Sequence, residues 1–523
     1  METIFQSTVL ALYSVSLVIL FIFGAHGYLM VYLYNKYRMI AKKEPAPLHE
    51  FPKVTVQLPV FNEVYVVERL IRAACDLDYP RHLLEIQVLD DSTDETFGIA
   101  QHWVAHYQKQ GYQITLRHRD HRQGYKAGAL REGLAVATGE FIAIFDADFV
   151  PPRDFLKRTL AYFDEPKIGA VQARWGHLNG DYSVLTRAQA IGLDGHFVVE
   201  QTARNGAGFF INFNGTAGVW RRECILDAGN WSDDTLTEDL DLSYRAQLRG
   251  WKFKFLPDTI CHSEIPAEIG GVKAQQFRWT KGAMETAKKI LPQLWKSPLP
   301  LKIKLQSTVH LTNNLVFPVL LILGILNLPL VLIKNQNKAA SSLYFAIISI
   351  LTLAFCGLFM MYLTSQREVY PDWRRRILYL PVFMAGSIGL SLNNTRAIVQ
   401  GLFKQHSEFL RTPKYGLENR HDRFFGRKYF NAREQWNRVI STGLIEGLMT
   451  GYCLFGLGIA IHYRDWATIP LQGLYGIGFG FIAYMSLKHY LWPRVASTFH
   501  RKIAHRFSFS MRGGDGIEAP TPG

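Results

Sequence analysis

The chain has 523 residues, a net charge of +14 and a mean hydropathy near zero, too long for one ordinary domain. That average hides a mixed, acid-rich stretch from about 51 to 300 between long apolar runs whose ends gather the basic residues, a membrane-flank pattern that argues against nucleic acid as a partner. Five scattered cysteines (Cys75, Cys224, Cys261, Cys356, Cys453) form no CxxC pair, which argues against a disulfide framework or a zinc site.

In chain order, the first element is the apolar run 8–34, long enough to span a bilayer. Lys36, Arg38, Lys42 and Lys43 follow it and no lysine or arginine precedes it, so residues 1–35 are expected to be an uncleaved anchor with the N-terminus outside and the next domain in the cytoplasm.

Residues 51–300 alternate between strand and helix patterns. "VTVQLPVFNE" (54–63), "LEIQVLDDSTDET" (84–96), "ITLRHR" (114–119), "EFIAIFDADFVPP" (140–152) and "IGAVQARW" (168–175) read as strands. "VYVVERLIRAACDL" and "YKAGALREGLAVA" read as helices between them, and Ser92, Thr93 and Asp94 mark a further helix start. The alternation predicts a mostly parallel sheet with helices on both faces, whose ligands bind at the carboxyl ends of the strands. The acid pairs Asp90–Asp91 and Asp146–Asp148 fall at such ends. In "TLTEDLDLSYR" (235–245), Thr235 and Thr237 are N-cap candidates, and Thr235 with Glu238 fits a capping box.

Further apolar runs cover 308–333, 342–364, 377–402, 439–462 and 469–492. The loop 403–437 and the tail 493–523 are basic, which places both on the cytoplasmic side; the tail is expected to be disordered. Parity then requires one run between 301 and 402 not to cross. The weakest is 377–402, with Asn393, Asn394 and Arg396, leaving five crossings including the hairpin 438–492. Glu446, two turns inside its run, is expected to pair or snorkel. His310, Asn313 and Asn314 read equally as a wet helix end or as the lining of a polar channel.

Two carboxylates one residue apart at a strand end, Asp146 and Asp148, can both reach one hard cation such as Mg²⁺ or Mn²⁺. A loop pair capping the next helix would look the same, but a second acid pair ending an earlier strand favours the cation. Lys126 and Arg119 lie between the two clusters, where cations suit phosphates or are merely solvated charge. No GxGxxG or P-loop motif occurs.

The ordered series "PVFNE", "LDDST", "GYKAGAL", "FDADF", "FNGTAGVWR", "TED", "QQFRW" and "FLRTPK" resembles processive family 2 glycosyltransferases, the cellulose synthase-like group and especially bacterial relatives of β-mannan (glucomannan) synthases. The resemblance spans about 51–420. It implies an α/β GT-A catalytic domain on the cytoplasmic side of a polytopic helical membrane domain. It further implies an inverting transfer from a nucleotide-diphosphate sugar, GDP-mannose or UDP-glucose, to a growing glycan, with Mg²⁺ or Mn²⁺ as cofactor. By the same resemblance Pro59, Glu63, Asp90 and Asp91 would hold the nucleoside, Arg278 the diphosphate, and Lys126 the diphosphate or the donor sugar. Asp146 and Asp148 would bind metal. Gly215, Thr216, Glu238, Gln275 and Trp279 would form the acceptor site, and Asp239 would be the general base. Phe409, Arg411, Thr412 and Lys414 would form a gating loop, where glucan synthases commonly carry valine at the position of Arg411. The competing readings are a non-processive glycolipid hexosyltransferase and a transporter or sensor with an inactive domain. Any export partner is unspecified.

Overall fold

A computed structural model describes residues 2–41, 50–336, 353–403, 411–419, 421–424 and 432–488, with isolated positions at 45, 48, 351, 405, 427 and 429. Seven strands form one sheet in the order β3-β2-β1-β4-β6-β5-β7. They are β1 (Val54–Val60), β2 (Leu84–Asp90), β3 (Gln113–His118), β4 (Phe141–Ile144), β5 (Ile168–His177), β6 (Gly218–Arg221) and β7 (Lys252–Ser263). The first five match the expected strands. β1 pairs in parallel with β2 and β4, and its register sets Val60 opposite Asp90 and Gln57 opposite Ile144. β1 and β2 end level and β4 stops three residues short of them, so the residues following all three strands emerge on one rim.

The last two strands were not expected. β6 is only four residues long and runs antiparallel between β4 and β5. β7 pairs in parallel with β5. Both faces are covered, as alternation along β4 shows. Phe141 and Ala143 pack with Val67, Leu70 and Ile71 on one side; Ile142 and Ile144 pack with Leu130, Leu134 and Leu242 on the other.

The helix Glu2–Ala41 runs past the domain and packs on Val316–Gln336 and Ala354–Val369. It comes very close to Gly357, where a Cβ would lie 2.3 Å from the Gly24 carbonyl oxygen; small residues let helix backbones meet so closely. Ile4–Met39, Leu301–Asn335 and Thr442–His462 are long and apolar enough to cross a membrane. Trp373–Gly389 and Ser391–Leu402 are two helices joined at a 44° bend, a break consistent with the weakness of this run in the sequence. Residues 469–488 are also helical, while half of the run 342–364 and the tail 493–523 fall outside the described residues.

Two polar residues of the helical region have buried partners. Glu446 is fully buried and pairs with Lys273 at 2.7 Å, with Ser486 3.0 Å from the same ammonium. His310 is buried and its Nδ1 lies 2.7 Å from the hydroxyl of Tyr244, so it faces the catalytic-domain helix Glu238–Leu248.

Candidate functional site at the strand ends

The rim formed by β1, β2 and β4 opens into one cleft. Its walls include Pro59, Glu63, Asp91, Lys126, Asp146, Asp148, Gly215, Glu238, Asp239, Gln275, Arg278, Trp279, Arg411, Thr412 and Lys414. Residues from eight separate motifs, spread over more than 350 positions, are brought together. Among the described residues, three of the sequence candidates do not line it: Asp90, Thr216 and Arg119. Asp90 is buried beneath the rim, its Oδ2 2.6 Å from His118 Nδ1. Thr216 is buried and its Oγ1 accepts the backbone N–H of Asp146 at 2.8 Å, so it holds the turn that presents the Asp146 side chain. Phe409 lies outside the described residues.

The acids at the cleft differ in their partners. Asp91 is gripped by Arg119, whose Nε and Nη2 donate to its two oxygens at 2.6 and 2.5 Å; Arg119 also reaches Glu132, so it is held by carboxylates and not left for a phosphate. Asp146 Oδ1 lies 2.5 Å from Lys126 Nζ, and Asp148 Oδ2 lies 2.7 Å from Lys414 Nζ. An ammonium against each carboxylate shows that both oxygens accept a cation, and a carboxylate pair completed by substrate phosphates suits Mg²⁺ or Mn²⁺. Among the described residues no group of three or more His, Cys, Asp or Glu could hold a metal, so phosphate and water would have to complete the shell.

Asp239 stands across from Lys126. Burial and the neighbouring Glu238 carboxylate push its pKa up to about 7, against the pull of Lys126. The Lys126 ammonium loses solvation, but Asp146 and Glu238 outweigh that loss and raise its pKa. Gly215 makes the approach possible. Its φ is +82°, and a Cβ there would sit 3.0 Å from Asp239 Oδ2 and 3.4 Å from Lys126 Nζ. Its carbonyl accepts from Lys126 at 2.9 Å.

The expected capping box at this helix is absent. The helix begins at Glu238 with Thr237 as N-cap, and no side chain caps it. Thr237 Oγ1 instead meets Thr286 at 3.2 Å on the long helix Ile269–Lys296, and Thr235 is buried. The Leu236 N–H is taken by Glu285 at 2.9 Å, so tertiary partners replace local ones. The three acids of this segment separate as the helix turns. Glu238 and Asp239 line the cleft, while Asp241 is fully buried between Arg245 and Lys289 at 2.8 and 2.9 Å.

Gln275, Arg278 and Trp279 are spaced i, i+3, i+4 on Ile269–Lys296 and so share one helix face, the one turned to the cleft. Burial lowers the pKa of Arg278, opposed by Glu238, Asp146 and Asp239. Opposite, Arg411 Nη1 is 2.9 Å from Glu63, whose pKa burial raises to about 8, and Arg411 also donates to the carbonyl of Asn62.

Two lining residues had no signal in the sequence. Glu264 carries no motif, yet its carboxylate accepts the backbone N–H groups of Tyr415, Gly416 and Leu417 at 2.9, 2.7 and 3.2 Å, and its own N–H donates to Asp148 at 3.1 Å. It therefore ties the 411–417 segment to the acid pair. Arg122 stacks on Phe61, 3.4 Å from the ring centroid, at the edge of the cleft.

Residues 52–282 match the family described as Glycosyltransferase like family 2. Glucomannan 4-beta-mannosyltransferase 7 of Arabidopsis thaliana is 43% identical over 252 residues, 47% of this chain and 45% of that protein. Glucomannan 4-beta-mannosyltransferase 1 of Oryza sativa subsp. japonica is 42% identical over 272 residues, 50% of this chain and 51% of that protein. The matched part of the chain thus spans about half the length of these curated relatives. Among solved structures, a mannosyltransferase from Pyrobaculum calidifontis in complex with GDP-Man and Mn²⁺ has the same fold, with a TM-score of 0.52 and 22% identity, covering 76% of this chain and 100% of that one.

Proposed function

Since the chain carries a family 2 glycosyltransferase domain over residues 52–282, we propose that it is a membrane-embedded, inverting hexosyltransferase that extends a β-linked glycan from a nucleotide-diphosphate sugar, with mannose from GDP-mannose the first candidate and glucose from UDP-glucose the second. The observation that carries this reading is Asp239, a cleft carboxylate with a raised pKa, set across from a lysine, an arginine and an acid pair. The mannosyl preference is supported by the glucomannan 4-beta-mannosyltransferase relatives.

In this reading Asp239 takes the proton from the attacking acceptor hydroxyl, and inversion follows from a single displacement with no covalent enzyme intermediate. Its pKa near neutrality suits that role, because it can be charged at working pH yet accept a proton. Lys126 and Arg278 face the diphosphate side and neutralise charge that grows there. Asp146 and Asp148 would hold Mg²⁺ or Mn²⁺, which would support the departing diphosphate. Trp279 offers an indole face to the acceptor sugar. Asp91 and Pro59 border the nucleoside end, and Arg411, Thr412 and Lys414 lie over the donor. The domain faces the cytoplasm, and the helical region anchors it and passes the product outward.

Membranes containing the protein, incubated with labelled GDP-mannose and separately with UDP-glucose, test the proposal. A high-mass product sensitive to a β-mannanase is expected with GDP-mannose. A labelled product extractable into organic solvent would replace this reading with that of a glycolipid hexosyltransferase.

A further inference from the structure

Asn214 precedes the glycine that backs Asp239, and its carboxamide is held at both ends by one unusual helix. Residues Gly195–Gln201 form a π-helix. Gln201 Nε2 donates to Asn214 Oδ1 at 2.7 Å, and Asn214 Nδ2 lies 3.1 Å from His196 Nε2. Since the amide nitrogen can only donate, His196 Nε2 is the acceptor; its proton sits on Nδ1, which faces Glu200 Oε2 at 2.9 Å. Glu200 is in turn fixed by Arg204, 2.6 Å away and 2% exposed. The wide turn matters here. In a π-helix residues five apart lie nearly above one another, whereas on an α-helix they point about 140° apart. Only the π form sets His196 and Gln201 against the same side chain.

We propose that His196, Glu200 and Gln201 are positioning residues that act through Asn214 to place the acceptor side of the cleft. None of the three lines the cleft. What they hold is the segment 214–216, and each of its residues touches the site. Asn214 lines the cleft, the Gly215 carbonyl holds Lys126 at 2.9 Å with Asp239 against its Cα, and Thr216 Oγ1 holds the Asp146 amide at 2.8 Å. Freeing the Asn214 carboxamide would let this segment move, and with it the spacing of Asp239, Lys126 and Asp146. The consequence for catalysis rests on the proposed roles of Asp239 and Lys126; the holding of Asn214 does not.

The test uses the full chain in detergent or membranes, with Gln201→Leu, His196→Phe, His196→Gln, Asn214→Ala and the His196→Phe/Asn214→Ala double variant. Loss of one or two buried hydrogen bonds (Gln201 Nε2 also donates to the Asn212 carbonyl at 3.0 Å) predicts a kcat lower by roughly 5- to 100-fold, with the donor KM moved by less than about threefold. His196→Gln, whose side-chain oxygen can accept from Asn214, should recover most of the loss. The double variant should be no slower than Asn214→Ala alone, because both act through one side chain. Amide hydrogen exchange over 211–217 should quicken at least about fivefold in Gln201→Leu, with β1–β3 unchanged. Multiplying effects in the double variant, a change in KM alone, or unchanged exchange over 211–217 would overturn the proposal. Asp239→Asn, run beside them, separates the two readings: if it keeps full activity the base assignment fails, while the exchange result still decides the clamp.

Discussion

The strand-end cleft and the junction with the apolar helices both bury charge, but they differ in how that charge is balanced. At the junction, one ammonium (Lys273) meets one carboxylate (Glu446) and one hydroxyl (Ser486), one positive charge against one negative. In the cleft, seven carboxylates face five basic side chains among the described residues. Acid in excess in a half-buried space has two ways out: protons held more tightly, as burial and neighbouring carboxylates do at Asp239 and Glu63, or a further cation, for which Asp146 and Asp148 stand ready. A balanced buried set fixes geometry, whereas an unbalanced one is built to be completed by what binds.

Asp239→Asn should break the cleft side of this contrast most severely, lowering product formation by about 10²- to 10⁴-fold while the folded protein survives, as read from initial rates and a melting curve on the same preparation. At the junction the signs reverse. Lys273→Met strands a buried carboxylate and should cost about 3–5 kcal/mol of stability, and adding Glu446→Leu should restore most of it, as seen by thermal melting. If the double variant were no better than the single, the junction would not be a closed pair.

pH should move activity and stability in opposite directions. Product formation should rise with pH through about 7 as the Asp239 carboxylate forms. The raised acids Glu63 and Glu268, at about 8 and 7, hold protons in the folded chain that the unfolded chain releases in the ordinary carboxylate range. Their stabilising contribution is therefore complete below that range and is lost as pH rises through 7 to 8, so melting temperatures should fall across the window in which the rate climbs. The smallest expected effect is at the rim. Arg411→Val removes the contact with Glu63 and should raise the donor KM by about two- to tenfold with kcat unchanged, measured by donor titration.

What the sequence revealed follows from how local the cause was. β1, β2 and β4 are apolar runs that stop at acids, so both the strands and their chemical ends could be read directly. β6 could not, since "GVWR" is four residues whose strand character exists only because β4 and β5 flank it. β7 contains Pro257, which disguises an otherwise alternating pattern. The capping box at Thr235 failed for a related reason: Glu285 and Thr286 on another helix took the partners that local spacing had assigned. Glu264, His196 and Gln201 are single residues without neighbours of like chemistry, and only folding shows that each grips a segment of the site.

The helix Ile269–Lys296 carries Lys273 near one end and Trp279 about 9 Å further along, on a single unbroken axis. A stiff rod pinned at its foot to two apolar helices, through Glu446 and Ser486, passes any tilt of those helices on to the indole. With those helices set in a bilayer, as the proposed function has them, its thickness becomes an input to the position of Trp279, and the protein reconstituted in shorter- and longer-chain lipids should differ in turnover without any change in its chemistry.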